Sequence, residues 1–377
     1  MNIKTRLSAL TMIAACILTL ASCSSSEDLV QNQGSAPEEQ TPQGPTAGMM
    51  NEPAKQVTIV LSPGTIPVSE WESLGGCSTN TPSGVWTDES NFMVAAKGCD
   101  GQLWTKRWNN DVWMNWTSWN TCLRSIPNLN INPQTKQLIA SYVDCSGRIT
   151  LKSSRDAGAT WQDMASRYTF DGSNAVATAW KTPSELMVFY VTGSGQVNSL
   201  NANALAYGFP NRVYNTTTTV TYSRFLFWSV PKYTTVTTNA CALGTVSATS
   251  DLKGRIDVVY PSCNNTPSVA TLNGNAWSFY NAPIAGAKHV DAVWNTAFPA
   301  TLELFFQGTN NQLYQTSFAN GQWTAPSPDT DPTPITTGIA TTNLNVAGEI
   351  TMLRNGSDNQ VYMKFLIHTN PSSGGIQ

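Results

Sequence analysis

The chain has 377 residues and a net charge of −3, and only 12% of its residues are charged. Such a chain lacks the basic footprint of a protein that binds nucleic acid or an anionic membrane surface. Its 13 tryptophans and its many Asn, Thr and Ser residues are typical of an extracellular β-protein that meets neutral ligands such as sugars, and they also suit packing between β-sheets.

The first 22 residues are predicted to be an export signal. Lys4 and Arg6 precede an apolar run at residues 7–20, which is too short for a membrane-spanning helix and fits a secretory h-region. The run ends in Leu-Ala-Ser-Cys at Cys23, which resembles the lipobox of bacterial lipoproteins. The resemblance implies cleavage before Cys23 and acylation of its thiol; an ordinary signal peptide with an incidental cysteine is the alternative. Because Ser rather than Asp follows Cys23, the rule for Gram-negative lipoproteins implies an exported protein held at the outer membrane only by its lipid.

Residues 23–55 are rich in Ser, Glu, Gln, Pro and Gly and contain almost no large apolar side chains. Such a segment cannot bury enough apolar surface to offset the entropy lost on ordering. We therefore predict a disordered tether that holds one folded domain, residues 56–377, away from the membrane.

A short turn recurs six times in residues 56–377. The second residues of these turns lie at positions 101, 147, 195, 265, 311 and 359, at intervals of 46, 48, 70, 46 and 48. A repeat of that length made of short strands is typical of β-propeller blades. The sequence thus predicts an all-β fold, a β-propeller of six blades with a hairpin inserted in the long interval; seven blades is the alternative. We expect an N-terminal strand at residues 57–61 to complete the last blade and close the ring.

Six cysteines lie in the predicted domain, and their arrangement before the first strand and after the second is repeated three times. Self-similarity predicts the disulfides Cys77–Cys99, Cys122–Cys145 and Cys241–Cys263, and an even number of cysteines in an exported chain supports disulfides. A bridge from Cys99 to Cys122 has similar spacing and is the alternative pairing. Zinc binding is a weaker alternative, because the spacing is not that of a zinc site and the chain has 2 histidines.

Residues 154–161, Ser-Arg-Asp-Ala-Gly-Ala-Thr-Trp, resemble the Asp-box (SxDxGxTW) of sialidase-type propellers. In that family the box lies between the third and fourth strands of a blade, where the strand pattern also puts it here. The resemblance implies a structural turn in which Ser154 and Thr160 flank Asp156, Asp156 caps the backbone amides, Gly158 has a positive φ and Trp161 packs beneath.

A second resemblance lies around the first blade. Residues 71–76 (WESLGG), 92–104 (FMVAAKGCDGQLW) and 113–119 (WMNWTSW) are similar to the repeat of bacterial propeller lectins related to the Photorhabdus fucose-binding lectin. Blades 5 and 6 match this repeat in part, whereas blade 4 and the insertion depart from it. The resemblance implies sugar pockets between blades, on the face with the loops before the first strand and after the second. It puts six carbohydrate-binding candidates near that face: Trp71, Asp100, Trp119, Arg124, Asn310 and Asp358.

These observations favour a surface-anchored, non-catalytic, lectin-like protein whose partner is a glycan or cell-surface polysaccharide. A propeller that acts as a protein-interaction or envelope scaffold is the alternative. A sialidase-type glycosidase is a weaker one, because the N-terminal arginine motif of that family is missing before the first blade. We expect no catalytic residues, no metal and no cofactor: His289 and His368 are too few for a metal cluster. The Asp- and Asn-rich turns favour ordinary turn chemistry over weak structural calcium.

Overall fold

The computed structural model describes residues 70–367, apart from residues 89, 111, 169–173, 207–208, 226–227, 252, 283, 285, 296–300, 320–321, 330–333 and 344–348. The described residues form an all-β structure whose one helical element is a 3-10 turn, η1 (Ala202–Ala204). Their strands make six sheets of four or five strands and a separate two-stranded hairpin. The fold is a six-bladed β-propeller, as the period of the turns predicts.

The first strand, β1 (Glu72–Gly75), belongs to the last blade, and the others follow in chain order. Blade 1 contains β2 (Ser83–Asp88), β3 (Asn91–Lys97), β4 (Gln102–Asn109), β5 (Val112–Trp113) and β6 (Thr117–Cys122). Blade 2 contains β7 (Asn128–Ile131), β8 (Leu138–Val143), β9 (Arg148–Ser154) and β10 (Gln162–Tyr168). Blade 3 contains β11 (Ala175–Thr182), β12 (Glu185–Val191), β13 (Val197–Asn201) and β14 (Asn211–Arg212).

The second half of the ring begins after the hairpin of β15 (Tyr214–Phe225) and β16 (Trp228–Asn239). Blade 4 contains β17 (Ser247–Ser250), β18 (Arg255–Pro261), β19 (Pro267–Asn273) and β20 (Ala276–Asn281). Blade 5 contains β21 (Ala287–Asn295), β22 (Thr301–Gly308), β23 (Leu313–Ala319), β24 (Gln322–Trp323) and β25 (Ser327–Pro328). Blade 6 contains β26 (Ile339–Asn343), β27 (Glu349–Asn355) and β28 (Val361–Ile367), and β1 completes it.

The turn between the second and third strands has the same backbone in every blade. Its second residue has a φ between 58° and 82°, a region that Gly and Asn adopt more readily than other residues. The amide of that residue donates to the carbonyl three residues earlier in each turn, as in the bond from Gly101 to Gly98. These requirements are local, and for this reason the spacing of the turns in the sequence predicts the spacing of the blades.

An N-terminal strand closes the ring, as predicted, but it lies at β1. This strand pairs antiparallel with β28 as the fourth strand of blade 6, whereas residues 57–61, which the sequence favours, lie outside the described residues. Leu74 of β1 is fully buried between blades 6 and 1. Its carbonyl accepts hydrogen bonds from Lys106 Nζ at 2.8 Å and Trp116 Nε1 at 3.2 Å, both on blade 1. The four-residue strand is therefore held by its own sheet and by the next blade.

Six apolar clusters fill the spaces between neighbouring blades, one cluster for each pair of blades. The cluster between blades 1 and 2, for example, contains Leu103 and Leu129. Because neighbouring blades cover both faces of a sheet, the second strands are mostly buried, and every residue of β8 is buried. The core is thus a ring of interfaces around a central channel.

The three predicted disulfides are present, and the alternative bridge from Cys99 to Cys122 is wrong. Cys122 ends the outer strand β6 of blade 1, and its partner Cys145 lies in the turn of blade 2. In the same way Cys77 follows β1 of blade 6 and bonds to Cys99 in the turn of blade 1. Cys241 follows the hairpin after blade 3 and bonds to Cys263 in the turn of blade 4. Each disulfide therefore joins two adjacent blades.

The long interval holds one hairpin and no seventh blade. Strands β15 and β16 pair in register from Tyr214 and Asn239 to Phe225 and Trp228. The outer strand of blade 1 is divided into β5 and β6, and Trp116, which lies between them, is only 4% exposed. Among the residues described, none of the helical structure is long and apolar enough to cross a bilayer.

Candidate functional site

Three of the six predicted sugar-binding residues lie at the tips of equivalent turns. Asp100, Asn310 and Asp358 occupy the same position in blades 1, 5 and 6, and the side chain of each accepts a bond from the amide two residues later. Trp104 Nε1 also donates to Asp100 at 3.1 Å, and Tyr362 Oη donates to Asp358 at 2.7 Å. In blade 5 the direction is reversed, since Asn310 Nδ2 donates to the hydroxyl of the tyrosine four residues later at 3.0 Å. Each polar side chain is therefore bonded within its own turn.

A glycine two residues before each of these tips makes room for the aromatic ring. A Cβ added to Gly98 would lie 2.7 Å from Trp104 Cδ1, and Gly308 and Gly356 are placed against their tyrosines in the same way. The repeated motif in blades 1, 5 and 6 thus has a local structural cause. The role of these tips in sugar binding stays a prediction.

Trp71 lies in the space between blades 5 and 6. The guanidinium carbon of Arg354 is 4.1 Å from its ring centroid, and Lys364 Nζ is 5.6 Å away. Lys364 Nζ also lies 3.1 Å from the carboxylate of Asp329. Trp71 takes part in a cation–π stack that packs two blades together, and its contact with a sugar stays a prediction.

Trp119 lies between blades 1 and 2, against the turn at residues 154–161. Its ring centroid is 4.8 Å from that of Trp161, which donates Nε1 to the carbonyl of Gly158 at 3.1 Å. In this turn Asp156 accepts bonds from the hydroxyl and the amide of Thr160. These bonds hold the pKa of Asp156 well below its usual value, and the bond from the Thr160 hydroxyl has the largest effect. The turn therefore supports the ring of Trp161, on which Trp119 packs.

Arg124 lies apart from the other five candidates, at one mouth of the central channel. Its Nε donates to Asn174 Oδ1 at 2.9 Å. The mouth has a volume of about 350 Å³ and is also lined by Asn80, His289 and Thr336. The channel below it, lined by the inner strands of the blades, has a volume of about 180 Å³. The six predicted residues consequently do not share one pocket.

Two titratable groups on β21 face the channel. Burial, and to a smaller extent the charge of Lys288, lowers the pKa of His289 to about 4. Burial raises the pKa of Asp291 to about 6, although hydrogen bonds from Ser247 and Thr341 oppose this shift. At neutral pH the channel wall therefore carries an uncharged imidazole and a carboxylate held by hydroxyl and amide donors.

The buried carboxylate of Asp257 is used for packing. It accepts hydrogen bonds from Arg255, from Thr271 and from the indole of Trp294 at 3.0 Å. Burial raises the pKa of Asp257 in spite of these bonds. Since Trp294 belongs to blade 5, Asp257 ties blade 4 to its neighbour. Among the described residues, no three His, Cys, Asp or Glu side chains are grouped so as to hold a metal ion.

A larger concave site lies between blades 3 and 4, and we call it the blade 3–4 groove. It has a volume of about 580 Å³. Its walls come from the β11–β12 turn, the ends of β13 and β20, and the segment that leads from blade 3 into the inserted hairpin. It is lined by Lys181, Glu185, Met187, Ser199, Asn201, Asn211, Arg212, Tyr214, Leu272, Asn275, Ala276 and Trp277.

The groove combines aromatic rings with polar groups. Trp277 is half-buried and meets Phe189 edge-on, with ring centroids 6.2 Å apart, and Tyr214 is 47% exposed. Lys181 Nζ lies 3.9 Å from Glu185 Oε1, so these two charges offset each other. Sugar sites use such a combination, because an aromatic face covers the C–H patch of the ring while polar groups meet the hydroxyls.

Sequence reasoning misses this groove for two reasons. Trp277 is in register with the outer-strand tryptophans of other blades, which assigns it to packing, and Arg212 and Tyr214 lie at the edge of an insertion that matches no repeat. The one feature of the sequence that could have indicated the groove is the irregular interval of 70 residues between the turns at positions 195 and 265. An insertion at the rim of a blade adds side chains that a regular blade does not have.

No protein-family model matches the chain, and no curated protein matches it. Solved structures do match. AofleA from Arthrobotrys oligospora is similar with a TM-score of 0.55 and 9% identity, over 81% of this chain and 88% of that chain. A variant of Aleuria aurantia lectin in complex with α-methyl-L-fucoside has a TM-score of 0.52 and 13% identity, over 78% and 97%. The BP39L lectin from Burkholderia pseudomallei has a TM-score of 0.50 and 14% identity, over 77% and 96%.

These likenesses show the fold. The Aleuria lectin is itself described as a six-bladed β-propeller with a novel mode of fucose recognition. At these identities the shared architecture does not carry a ligand from one protein to another.

Proposed function

We propose that this protein is a non-catalytic, carbohydrate-binding propeller, and that the blade 3–4 groove is a binding site. The observation that carries the proposal is the convergence of Tyr214 and Trp277 with amide and charged side chains in one concave space of about 580 Å³. A flat or broad surface would suit a protein scaffold better, whereas a concave aromatic groove suits a small, partly apolar ligand.

The composition of the chain supports the same function. Only 12% of its residues are charged, and its net charge is −3, so long-range electrostatics do not favour a polyanion. The solved structures it resembles include lectins crystallised with fucosides. The buried acid Asp257 is occupied by three donors, one of which joins blade 4 to blade 5, and this leaves it unsuited to act as a glycosidase acid.

The protein is further proposed to be anchored by a lipid on Cys23, with residues 23–55 as a tether. The run Leu-Ala-Ser-Cys at the end of the apolar segment supports this anchor. Growth with labelled palmitate should label the wild-type protein and not the Cys23→Ser variant. Equal labelling of the two proteins would contradict the proposed anchor.

The binding proposal is tested on a glycan array with the full chain in mild detergent. We expect saturable binding to a defined set of terminal sugars. Tyr214→Ala should weaken this binding about tenfold or more, since loss of an aromatic ring removes both apolar contact and stacking. Because Tyr214 is 47% exposed, its removal should not disturb folding.

The matched control is Phe209→Ala, which removes an aromatic side chain that is 91% exposed and does not line the groove. This variant should bind as the wild type does. A blank array from folded protein would contradict carbohydrate binding and favour the scaffold function. Binding that survives Tyr214→Ala would move the site to another part of the ring, such as the turn tips near Asp100.

A further inference from the structure

The charges that line the blade 3–4 groove allow a more specific statement, which rests on the proposed carbohydrate-binding function. Three charged side chains line the groove: Lys181, Glu185 and Arg212. Lys181 Nζ lies 3.9 Å from Glu185 Oε1, on opposite sides of the β11–β12 turn. The groove therefore has one positive charge that the pair does not offset, the guanidinium of Arg212.

Arg212 is exposed at the last residue of β14. One residue, Val213, separates it from the inserted hairpin, whose first residue, Tyr214, also lines the groove. Within the described part of the chain, no hydrogen bond or ion pair engages its guanidinium. Its donors are consequently available to a ligand in the groove.

We propose that the blade 3–4 groove binds an acidic sugar, with the carboxylate on Arg212 and the sugar ring against Trp277 and Tyr214. A guanidinium presents a rigid fork of donors that matches the two oxygens of a carboxylate, and such bidentate bonds are stronger than bonds between neutral groups. Trp277 is held in place by the core between blades 3 and 4, so the aromatic wall is rigid. Blade 3 thus supplies the residue that selects the ligand, Arg212, while blade 4 and the first residue of the inserted hairpin supply the aromatic wall.

The rest of the protein does not favour anions in general. Its net charge is −3, and Asp and Glu outnumber Lys and Arg by 24 to 21. Selectivity for an acidic sugar would therefore come from the local contact with Arg212 and not from the field of the whole molecule. Because Arg212 is exposed, raising the ionic strength should weaken binding of the acidic ligand and leave binding of a neutral ligand unchanged.

The test is an array that carries uronic-acid- and sialic-acid-terminated glycans, each printed beside its carboxyl-reduced counterpart. Wild-type protein should bind at least one acidic glycan about tenfold more tightly than its reduced counterpart, since hydrogen bonds to charged groups are the stronger ones. Arg212→Gln should bring this ratio close to one and retain binding of the reduced glycan. The matched control is Arg155→Gln, which removes an exposed arginine outside the groove and should keep the ratio.

The outcomes separate this proposal from the general one. Equal binding of acidic and reduced glycans, or a ratio that Arg212→Gln leaves unchanged, would overturn the acidic specificity and leave carbohydrate binding intact. No binding of any glycan by folded wild-type protein would overturn both. Loss of all binding in Arg212→Gln, with unchanged folding, would show that Arg212 contacts the neutral part of the sugar, and this result too would overturn the assignment of the carboxylate.

Discussion

Lys106 offers a sharp test of how the ring is closed. Its side chain is 2% exposed, and its Nζ donates to the carbonyl of Leu74 on the closing strand β1. The rings of Trp113 and Trp116 each lie with their centroids 5.8 Å from Nζ. Burial lowers the pKa of Lys106 from 10.5 to about 8. The proposed change is Lys106→Met, which keeps a long apolar side chain and removes the charge.

The magnitude follows from the shift in pKa. Between about pH 8 and 10.5 the folded protein has lost the proton of Lys106 while the unfolded chain still holds it. The unfolded state therefore binds more protons, and the free energy of unfolding rises with pH through this range. A shift of this size corresponds to about 3 kcal/mol, at about 1.4 kcal/mol per pKa unit. Below pH 8 the buried ammonium lowers the free energy of unfolding by this amount.

Lys106→Met should remove this destabilisation. Trp116 Nε1 still donates to the carbonyl of Leu74 at 3.2 Å, so the substitution leaves no unsatisfied acceptor. We expect the variant to be more stable than the wild type by up to about 3 kcal/mol at pH 7, and the difference to shrink towards pH 10. Urea unfolding followed by tryptophan fluorescence at pH 7, 8.5 and 10 measures both quantities. Conditions at the three pH values should otherwise be identical.

The control is Lys152→Met, because Lys152 has the same register position in blade 2 as Lys106 in blade 1. Its ammonium is 2.6 Å from Asp163, which is 81% exposed. Exposed ion pairs contribute about 0–1 kcal/mol, so this variant should be slightly less stable than the wild type. The reasoning is refuted if Lys106→Met is less stable at pH 7 by an amount that does not change at pH 10.

Three further predictions concern stability. Replacing both Cys77 and Cys99 by Ser should lower the free energy of unfolding by about 3 kcal/mol, because the bridge closes a loop of 22 residues next to β1; an unchanged melting temperature would contradict this. Asp257→Ala should cost about 3 kcal/mol because it removes the buried acceptor of a half-buried arginine, a threonine and an indole, whereas Asp257→Asn, which keeps an acceptor oxygen, should cost less. Between about pH 4 and 6 the folded chain keeps His289 neutral and Asp291 protonated, so their effects on stability have opposite signs and nearly cancel. Urea unfolding of each variant measures this balance. With His289→Gln the free energy of unfolding should fall by about 3 kcal/mol as pH rises through this window, and with Asp291→Asn it should rise by about the same amount. Parallel curves for the two variants would count against the channel assignment.

The architecture could be predicted because its determinants are local. The positive φ of Gly101 and Asn359 depends on hydrogen bonds within four residues of the chain, so the same residue types recur at the same spacing. The disulfides follow the same repeat. The motif that pairs Asp100 with Trp104 is local too, and it looks like a ligand motif in the sequence because polar and aromatic residues recur together.

The closing strand and the groove depend on contacts that the sequence does not display. Nothing near Leu74 in the chain shows that Lys106 and Trp116 will bind its carbonyl, because that bond joins the first strand to a different blade. Arg212 and Trp277 likewise line one groove only because blades 3 and 4 pack side by side. By itself the sequence determined the period, the turns and the disulfides, since these are short-range repeats. Only the tertiary structure decided where the ring closes and which side chains share a pocket, since both follow from how separate blades pack against each other.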